Sequence, residues 1–571
     1  MSDDQADEVR APLIEPRQQQ QQQPLVRGQE HGARAEQEQE LRQRQQETRS
    51  GGEGAAAGHG DDEEHTEARQ AGSLRATLLL VLTAGLSGLL FGYDTGIISS
   101  TLLYLPLSFP VSTAAKAAIT SSTSLCALIA SPLSAPLADT LGRRPVIMVS
   151  CALFVAGALI QALAPGVSMM VLGRSVVGFA IGAASAIVPL YISEIAPARS
   201  RGRLVTVQSL LITGGQVVAY LVGWMCRDRW RVAVGLGAVP ALIQLALMGV
   251  LVESPRFLVM NGREEGARKV LSRLGGVDDV DVVVQRIGQE IKEEGGDAED
   301  SWRRRWHELI KKGGNRRALT IACMLQGLQQ LCGFNVLMYF SATIFSLVGF
   351  TSPVTTSLSI AVTNFLFTLF AFSLIDAIGR RRILLISIPF MVVGLALCAV
   401  CFAYLPPLTT SPPAKSALDD IPLPRSDFAL RFSSLPTALL ASLILYVAAY
   451  ALGLGCVPWQ QSELFPLRVR GLGAALATAT NWSANFVVGV TFLPLIESLG
   501  SMPTFATYAF VCAVGWVAVW IMYPETAGLE LEDVGRLLAD GWGVEESLNT
   551  RMRTKGYVGA PVAEEDEGEV P

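Results

Sequence analysis

Asp94 stands inside an otherwise apolar run, LLLVLTAGLSGLLFGYDTGII, at residues 78–98. An acid at the centre of a membrane-length apolar segment costs about 2.5–3.5 kcal/mol. Such a carboxyl must face a bundle interior or a cavity and have a charge partner, and the chemistry open to it there is binding and releasing a proton. A second group of polar residues sits in another apolar stretch: Gln326, Gln329, Gln330 and Asn335, with Gly333 interrupting the helix. The three glutamines share a face by i,i+3 and i,i+4 spacing. Carboxamides both donate and accept hydrogen bonds, which suits a neutral hydroxylated ligand. Interhelical bonding is the plainer use of such groups.

The surrounding composition excludes most other chemistry. Half of the 571 residues are apolar, only 17% are charged, and the net charge is −6. With a mean hydropathy of +0.37, the chain reads as a polytopic membrane protein with no basic concentration suited to nucleic acid. His31, His59, His65 and His307 all lie in polar segments, so no metal site, cofactor or histidine-based catalysis is expected within the spans. No nucleophile–base set appears there either, which argues against an enzyme. The nine cysteines lie in or beside apolar runs and read as packing residues, the CxxC spacing of Cys398 and Cys401 included.

The chain divides by polarity. Residues 1–72, rich in Gln, Glu, Gly and Arg, are expected to form a disordered tail without a cleavable signal peptide. Twelve candidate membrane helices follow, near 75–99, 117–138, 146–163, 167–191, 204–224, 232–251, 318–348, 354–376, 383–404, 435–461, 472–497 and 504–523. They imply a six-helix half at 73–252, a charged linker with short helices at 253–316, a second half at 317–525 and a tail at 526–571. Residues 405–434 read as a Pro- and Ser-rich loop. Arginines cluster in alternate short loops, at Arg143, Arg144, Arg201, Arg380, Arg381 and Arg470, which favours both termini in the cytoplasm. The loop with Arg227, Arg229 and Arg231 runs against that bias.

The halves repeat. Asp139-Thr-Leu-Gly-Arg143-Arg144 after the second segment matches Asp376-Ala-Ile-Gly-Arg380-Arg381 after the eighth. Glu194 and Glu463, each followed seven residues on by Arg-Gly, close the fourth and tenth. An all-α membrane protein of two related six-helix halves is the major facilitator architecture.

The motifs FGYDTG, DTLGRRP, GRSVVGFAIG, VPLYISEIAPARSRG, ESPRFL, QQLCGFN, DAIGRR, SELFPLRVRG, NWSANF and PETAGLELE occur in this order between about residues 75 and 540. The chain thereby resembles the sugar porter family of the major facilitator superfamily. ITGGQVVAY, NVLMYFSATIF, VPWQQSELFP and TATNW are similar to segments of the fungal proton-coupled myo-inositol transporters. The resemblance implies that Asp94 is the protonation site and Arg174 its partner. Burial opposes the charged carboxyl and the guanidinium favours it. It also implies that Gln216, Gln329, Gln330, Asn335, Asn364, Asn481 and Trp482 are substrate ligands, with Trp459 as an aromatic platform. Arg143, Arg144, Glu194, Arg201, Glu253, Arg256, Arg380, Arg381, Glu463, Arg470 and Glu525 would form inter-helix salt bridges that close the inner side.

Two departures matter. Ser209 stands seven residues before Gln216, where hexose porters carry a second Gln, which favours inositol over glucose. Trp459 lies four residues before Glu463 instead of five, so either Trp459 or Gln460 faces the ligand. The expected activity is proton-coupled uptake of myo-inositol or a related cyclic polyol by a monomer in a lipid bilayer. The plasma membrane is the expected location, with a vacuolar or endosomal membrane as alternative. A hexose or pentose carrier and a non-transporting sensor are the rival readings.

Overall fold

In the computed structural model, residues 59–195, 198–274, 279–294, 298–405, 434–457, 464–527, 529 and 531–548 are described. Most of the expected N-terminal tail, nearly all of the 405–434 loop and residues 549–571 lie outside the described residues. The backbone clusters into two units, 1–71 and 72–571. All regular structure among the described residues is helical. In a bilayer each backbone N–H and C=O must be satisfied within its own segment, and a helix does this without partners.

The first half comprises α1 (His59–Tyr104), α2 (Thr113–Leu141), α3 (Arg143–Ala162), α4 (Val167–Ile195), α5 (Ala198–Cys226), α6 (Trp230–Leu236) and α7 (Ala238–Val250). Short helices follow: α8 (Pro255–Met260), α9 (Glu264–Leu274), α10 (Val280–Glu294) and α11 (Ala298–Lys311). The second half comprises α12 (Gly313–Leu331), α13 (Phe334–Val348), α14 (Pro353–Ile378), α15 (Arg380–Tyr404), α16 (Leu435–Leu452), α17 (Leu467–Leu499) and α18 (Ser501–Met522), and α19 (Leu531–Asp540) comes last. Eleven segments among the described residues are long and apolar enough to cross a membrane. The remaining expected span, 75–99, lies within α1, which begins at His59, upstream of the expected boundary at 73.

The sequence repeat is a structural repeat. Gly142 ends α2 and Gly379 ends α14, both at φ 105°, where a side chain would be strained. The next helix then starts under a carboxylate: Glu253 accepts the N–H of Arg143, and Glu525 accepts the N–H of Arg380.

Two local features position the site. Gly85, Gly88, Gly92 and Gly96 lie on one face of α1, and the space a Cβ would take is filled by α5, at Gly88 and Gly92 by the carbonyls of Gln208 and Ile212. Two residues along a helix turn the chain through about 200°. Asp94, midway between Gly92 and Gly96, is therefore aimed away from α5. The second feature is Gly333, at φ 88° between α12 and α13. The hydroxyl of Tyr446 donates to the Cys332 carbonyl at 2.9 Å and so satisfies backbone at the break.

A Cβ at Gly333 would meet the Tyr508 ring at 3.0–3.2 Å in a backbone conformation that L residues disfavour, a penalty of about 1–2 kcal/mol before any ring movement. Gly333→Ala is expected to lower the thermal unfolding temperature in detergent. Gly327→Ala, whose Cβ would meet only Thr480 Cγ2 at 3.7 Å, should match or exceed wild type. Equal behaviour of the two variants would contradict the assignment.

Candidate functional site

α1 and α4 bring Asp94 and Arg174 together, with Nη1 of Arg174 at 2.5 Å from Oδ1 of Asp94. Both are buried, Arg174 to 1% exposure. Nε of Arg174 donates to the Ile119 carbonyl on α2 at 3.3 Å, and the Thr123 hydroxyl donates to the Arg174 carbonyl at 3.1 Å. The guanidinium is thus held by α2 independently of the carboxylate.

The amides assemble around Asn481 on α17. Its Nδ2 donates to Oε1 of Gln326 at 2.7 Å and to Oε1 of Gln329 at 2.8 Å, and its Oδ1 accepts from Gln330 at 3.1 Å. Asn335, across the helix break, donates to Oε1 of Gln330 at 2.6 Å. Gln329 also donates to the Leu454 carbonyl at 2.9 Å. Five carboxamides from α12, α13 and α17 thus form one connected set, bearing the complementary donors and acceptors that ring hydroxyls require.

Gln216 and Asn364 are placed separately. Nδ2 of Asn364 donates to Oε1 of Gln216 at 2.9 Å, joining α14 to α5. Trp482 packs against Phe91 at a centroid distance of 5.5 Å, tying α17 to α1 three residues before Asp94. Trp459, Gln460 and Glu463 lie outside the described residues.

Sequence reasoning missed three groups. Tyr339 on α13 exchanges hydrogen bonds with Asn485 at 3.2–3.3 Å. Tyr220 donates to the Met338 carbonyl at 2.6 Å and bonds Ser341 at 2.9 Å. Ser99 completes that cluster, bonding Ser341 at 3.1 Å and accepting the Ala342 N–H at 3.1 Å. The available signals were spacing alone: Asn485 lies one turn beyond Asn481, and Tyr339 one turn beyond Asn335.

At the helix ends, Arg143 grips Glu194 with Nε and Nη2 at 3.0 and 3.1 Å and also pairs with Asp139 at 3.0 Å. The Ser254 hydroxyl donates to Glu194 at 2.5 Å. The side chain of Arg144 goes to the carbonyls of Met248 and Gly249 at the end of α7, at 2.7 and 2.8 Å, although its backbone N–H bonds Glu253. Arg381 likewise donates to the Trp520 carbonyl and Arg470 to that of Phe465. Arg256 lies in α8, and Arg201 lies in α5, its side chain outside the described residues. Burial pushes the Glu253 carboxyl above the ordinary glutamate range, against the opposing pull of three backbone N–H donors and of Arg143.

Two related six-helix halves, one holding a buried ion pair and the other an amide set, define a membrane carrier of the major facilitator type. The chain belongs to the "Sugar (and other) transporter" family, whose model matches residues 80–538; it is a transporter and not an enzyme. It is 42% identical over 486 residues to "Myo-inositol transporter 1" of Cryptococcus neoformans var. grubii, a match covering 83% of each chain. It is 40% identical to "Myo-inositol transporter 2" of Schizosaccharomyces pombe, covering 87% of this chain and 88% of that one. Among solved structures it is similar to the partially occluded inward-open form of the xylose transporter XylE from E. coli, with a TM-score of 0.64 and 26% identity, covering 80% of this chain and 99% of that one. A structure described as the proton:xylose symporter XylE gives a TM-score of 0.63, again at 26% identity, covering 82% of this chain and 100% of that one.

The raised Glu253 carboxyl has a pH signature. The fold takes up this proton before the unfolded chain does, so the contribution is complete below the ordinary glutamate range and is lost as pH rises through the folded value. In thermal unfolding, wild type should lose stability relative to Glu253→Gln as pH rises above the ordinary glutamate range. A flat or reversed difference would contradict this.

Proposed function

We propose that this chain is a symporter that carries myo-inositol with a proton by alternating access. The observation that carries the reading is the division of labour in the site. One ionisable pair, Asp94–Arg174, is buried in the first half, while uncharged amides form a connected set in the second. A cyclic polyol has no charge for an ion pair to recognise. Its hydroxyls match carboxamides, which donate and accept in turn. The names of the fungal relatives and the absence of an amide at Ser209 support inositol over a hexose.

Asp94 is the proton acceptor in this mechanism. Ionised, it is bound to Arg174; protonated, it loses the charge attraction, while Arg174 keeps the Ile119 carbonyl. α1 is then released from α4, and the packing of α1 on α5 and of Phe91 on Trp482 couples that release to the second half. Gln329, Gln330, Asn335 and Asn481 exchange bonds among themselves for bonds to ligand hydroxyls. Gln216 and Asn364 join the halves beside the ligand, and Trp482 and Trp459 supply apolar faces. The helix-end set, from Arg143, Glu194 and Glu253 to Arg381, Arg470 and Glu525, stabilises the inner ends of each half. The carrier works as a monomer in the plasma membrane with both termini cytoplasmic.

Proteoliposome uptake under an imposed pH gradient tests this directly. Asp94→Asn should lose accumulation of labelled myo-inositol against its gradient while retaining counterflow exchange. Accumulation that stays pH-dependent would remove Asp94 from the coupling role. Gln330→Ala should weaken inositol binding by roughly tenfold, since about 1–3 kcal/mol attaches to polar groups left without partners. Unchanged affinity would assign Gln330 to packing. Glucose displacing the label better than myo-inositol would refute the substrate.

A further inference from the structure

Residues 303–317 hold seven Lys or Arg and a single acid, Glu308. At other helix ends several arginines point inward: Arg143 and Arg381 are buried, and Arg144 is bound to the end of α7. Here Arg303, Arg304, Arg305, Lys311, Lys312 and Arg316 are all exposed. Lys312 bonds Glu308, and Arg317, half-buried, donates to the carbonyls of Leu538 and Ala539 at the end of α19.

The charges are carried by a fixed helix. Leu309 is fully buried in the main core, and Nδ2 of Asn315 donates to the Glu308 carbonyl at 3.2 Å, tying the end of α11 to the start of α12. α11 ends at Lys311 and the membrane-length segment begins at Gly313. At 100° per residue, Arg303, Arg304, His307, Ile310 and Lys311 fall within one arc of about 120°. Ile310 is 48% exposed among these cations. A basic stripe with an exposed apolar residue, held where a span enters the bilayer, has the chemistry of an interfacial helix.

We propose that α11 and the first turn of α12 form a binding surface for anionic phospholipid headgroups of the adjacent leaflet. Arg303, Lys311 and Arg316 contact the phosphates, and Ile310 enters the acyl boundary. Charge complementarity and the position beside the span select a lipid as the occupant. α11 packs on α12 and α17, the helices that carry Gln326, Gln329, Gln330 and Asn481. The lipid contact therefore bears on the elements that hold the amides.

The test uses the full chain in nanodiscs of phosphatidylcholine and phosphatidylserine in equal amounts, with retained lipids counted by native mass spectrometry. Phosphatidylserine is the probe because its headgroup lacks an inositol ring. Wild type should retain it over phosphatidylcholine by about threefold or more. The triple variant Arg303→Gln/Lys311→Gln/Arg316→Gln should fall to parity while keeping the wild-type unfolding temperature. Arg303→Gln alone should lose part of the preference, which separates charge from misfolding. Arg227→Gln/Arg229→Gln, at the other end of the bundle, should keep the full preference. Absence of preference in wild type, its persistence in the triple variant, or equal loss in the opposite-end control would overturn the proposal.

Discussion

A polar group in the interior of a bilayer has no water to turn to, so every such group must find its partner within the protein. Asp94 and Arg174 meet this demand most directly, and much of the first half is arranged around them. The glycine face of α1 lets its backbone lie against α5, which turns Asp94 toward α4. Arg174 is held from its other side by the Ile119 carbonyl. Removing one member of a buried pair costs about 3–5 kcal/mol because an uncompensated charge is left behind. The pair can separate cheaply only if the carboxylate is first neutralised.

The same demand shapes the second half with neutral groups. Gly333 breaks the helix and so brings Asn335 close to Gln330, while Tyr446 covers the Cys332 carbonyl. The amides bond one another through Asn481. Each of these bonds contributes only about 0.5–1.5 kcal/mol net, and each can be exchanged for a ligand hydroxyl at little cost. A set of charged side chains would bind neutral hydroxyls while leaving its own charge uncompensated.

Much of this was legible because it violates apolar patterning. An acid in an apolar run, four carboxamides in another and a glycine between them each announce a special position. The repeat DxxGRR was also legible, and the two φ 105° glycines account for it physically. The hydroxyl contacts of Ser99, Tyr220, Tyr339 and Ser341 were not. Serine in a helix can bond its own preceding turn, so such residues create no visible imbalance until the fold supplies a partner. Arg143 pairs with Glu194, and the side chains of Arg144 and Arg381 donate to carbonyls near the ends of α7 and α18. The negative end of a helix attracts a guanidinium much as a carboxylate does, and charge counting along a sequence cannot separate the two.

The contacts also differ in kind according to whether they lie within a half or between halves. Asp94–Arg174 and Arg143–Glu194 join helices of the first half, and the carboxylates of Glu253 and Glu525 sit at helix starts within their own halves. Between the halves, Gln216 meets Asn364, Tyr220 and Ser99 meet Ser341, and Phe91 meets Trp482. These are neutral hydrogen bonds and a ring contact, each weak and replaceable by water or ligand. Rocking one half against the other would break contacts of this second kind, together with the bond from the Thr113 hydroxyl on α2 to the Glu497 carboxylate on α17, and leave the ion pairs within each half intact, as rigid-body motion about a central site requires. Asp94–Arg174 is an ion pair inside one half, yet Phe91, three residues before Asp94 on α1, packs on Trp482 of the other half.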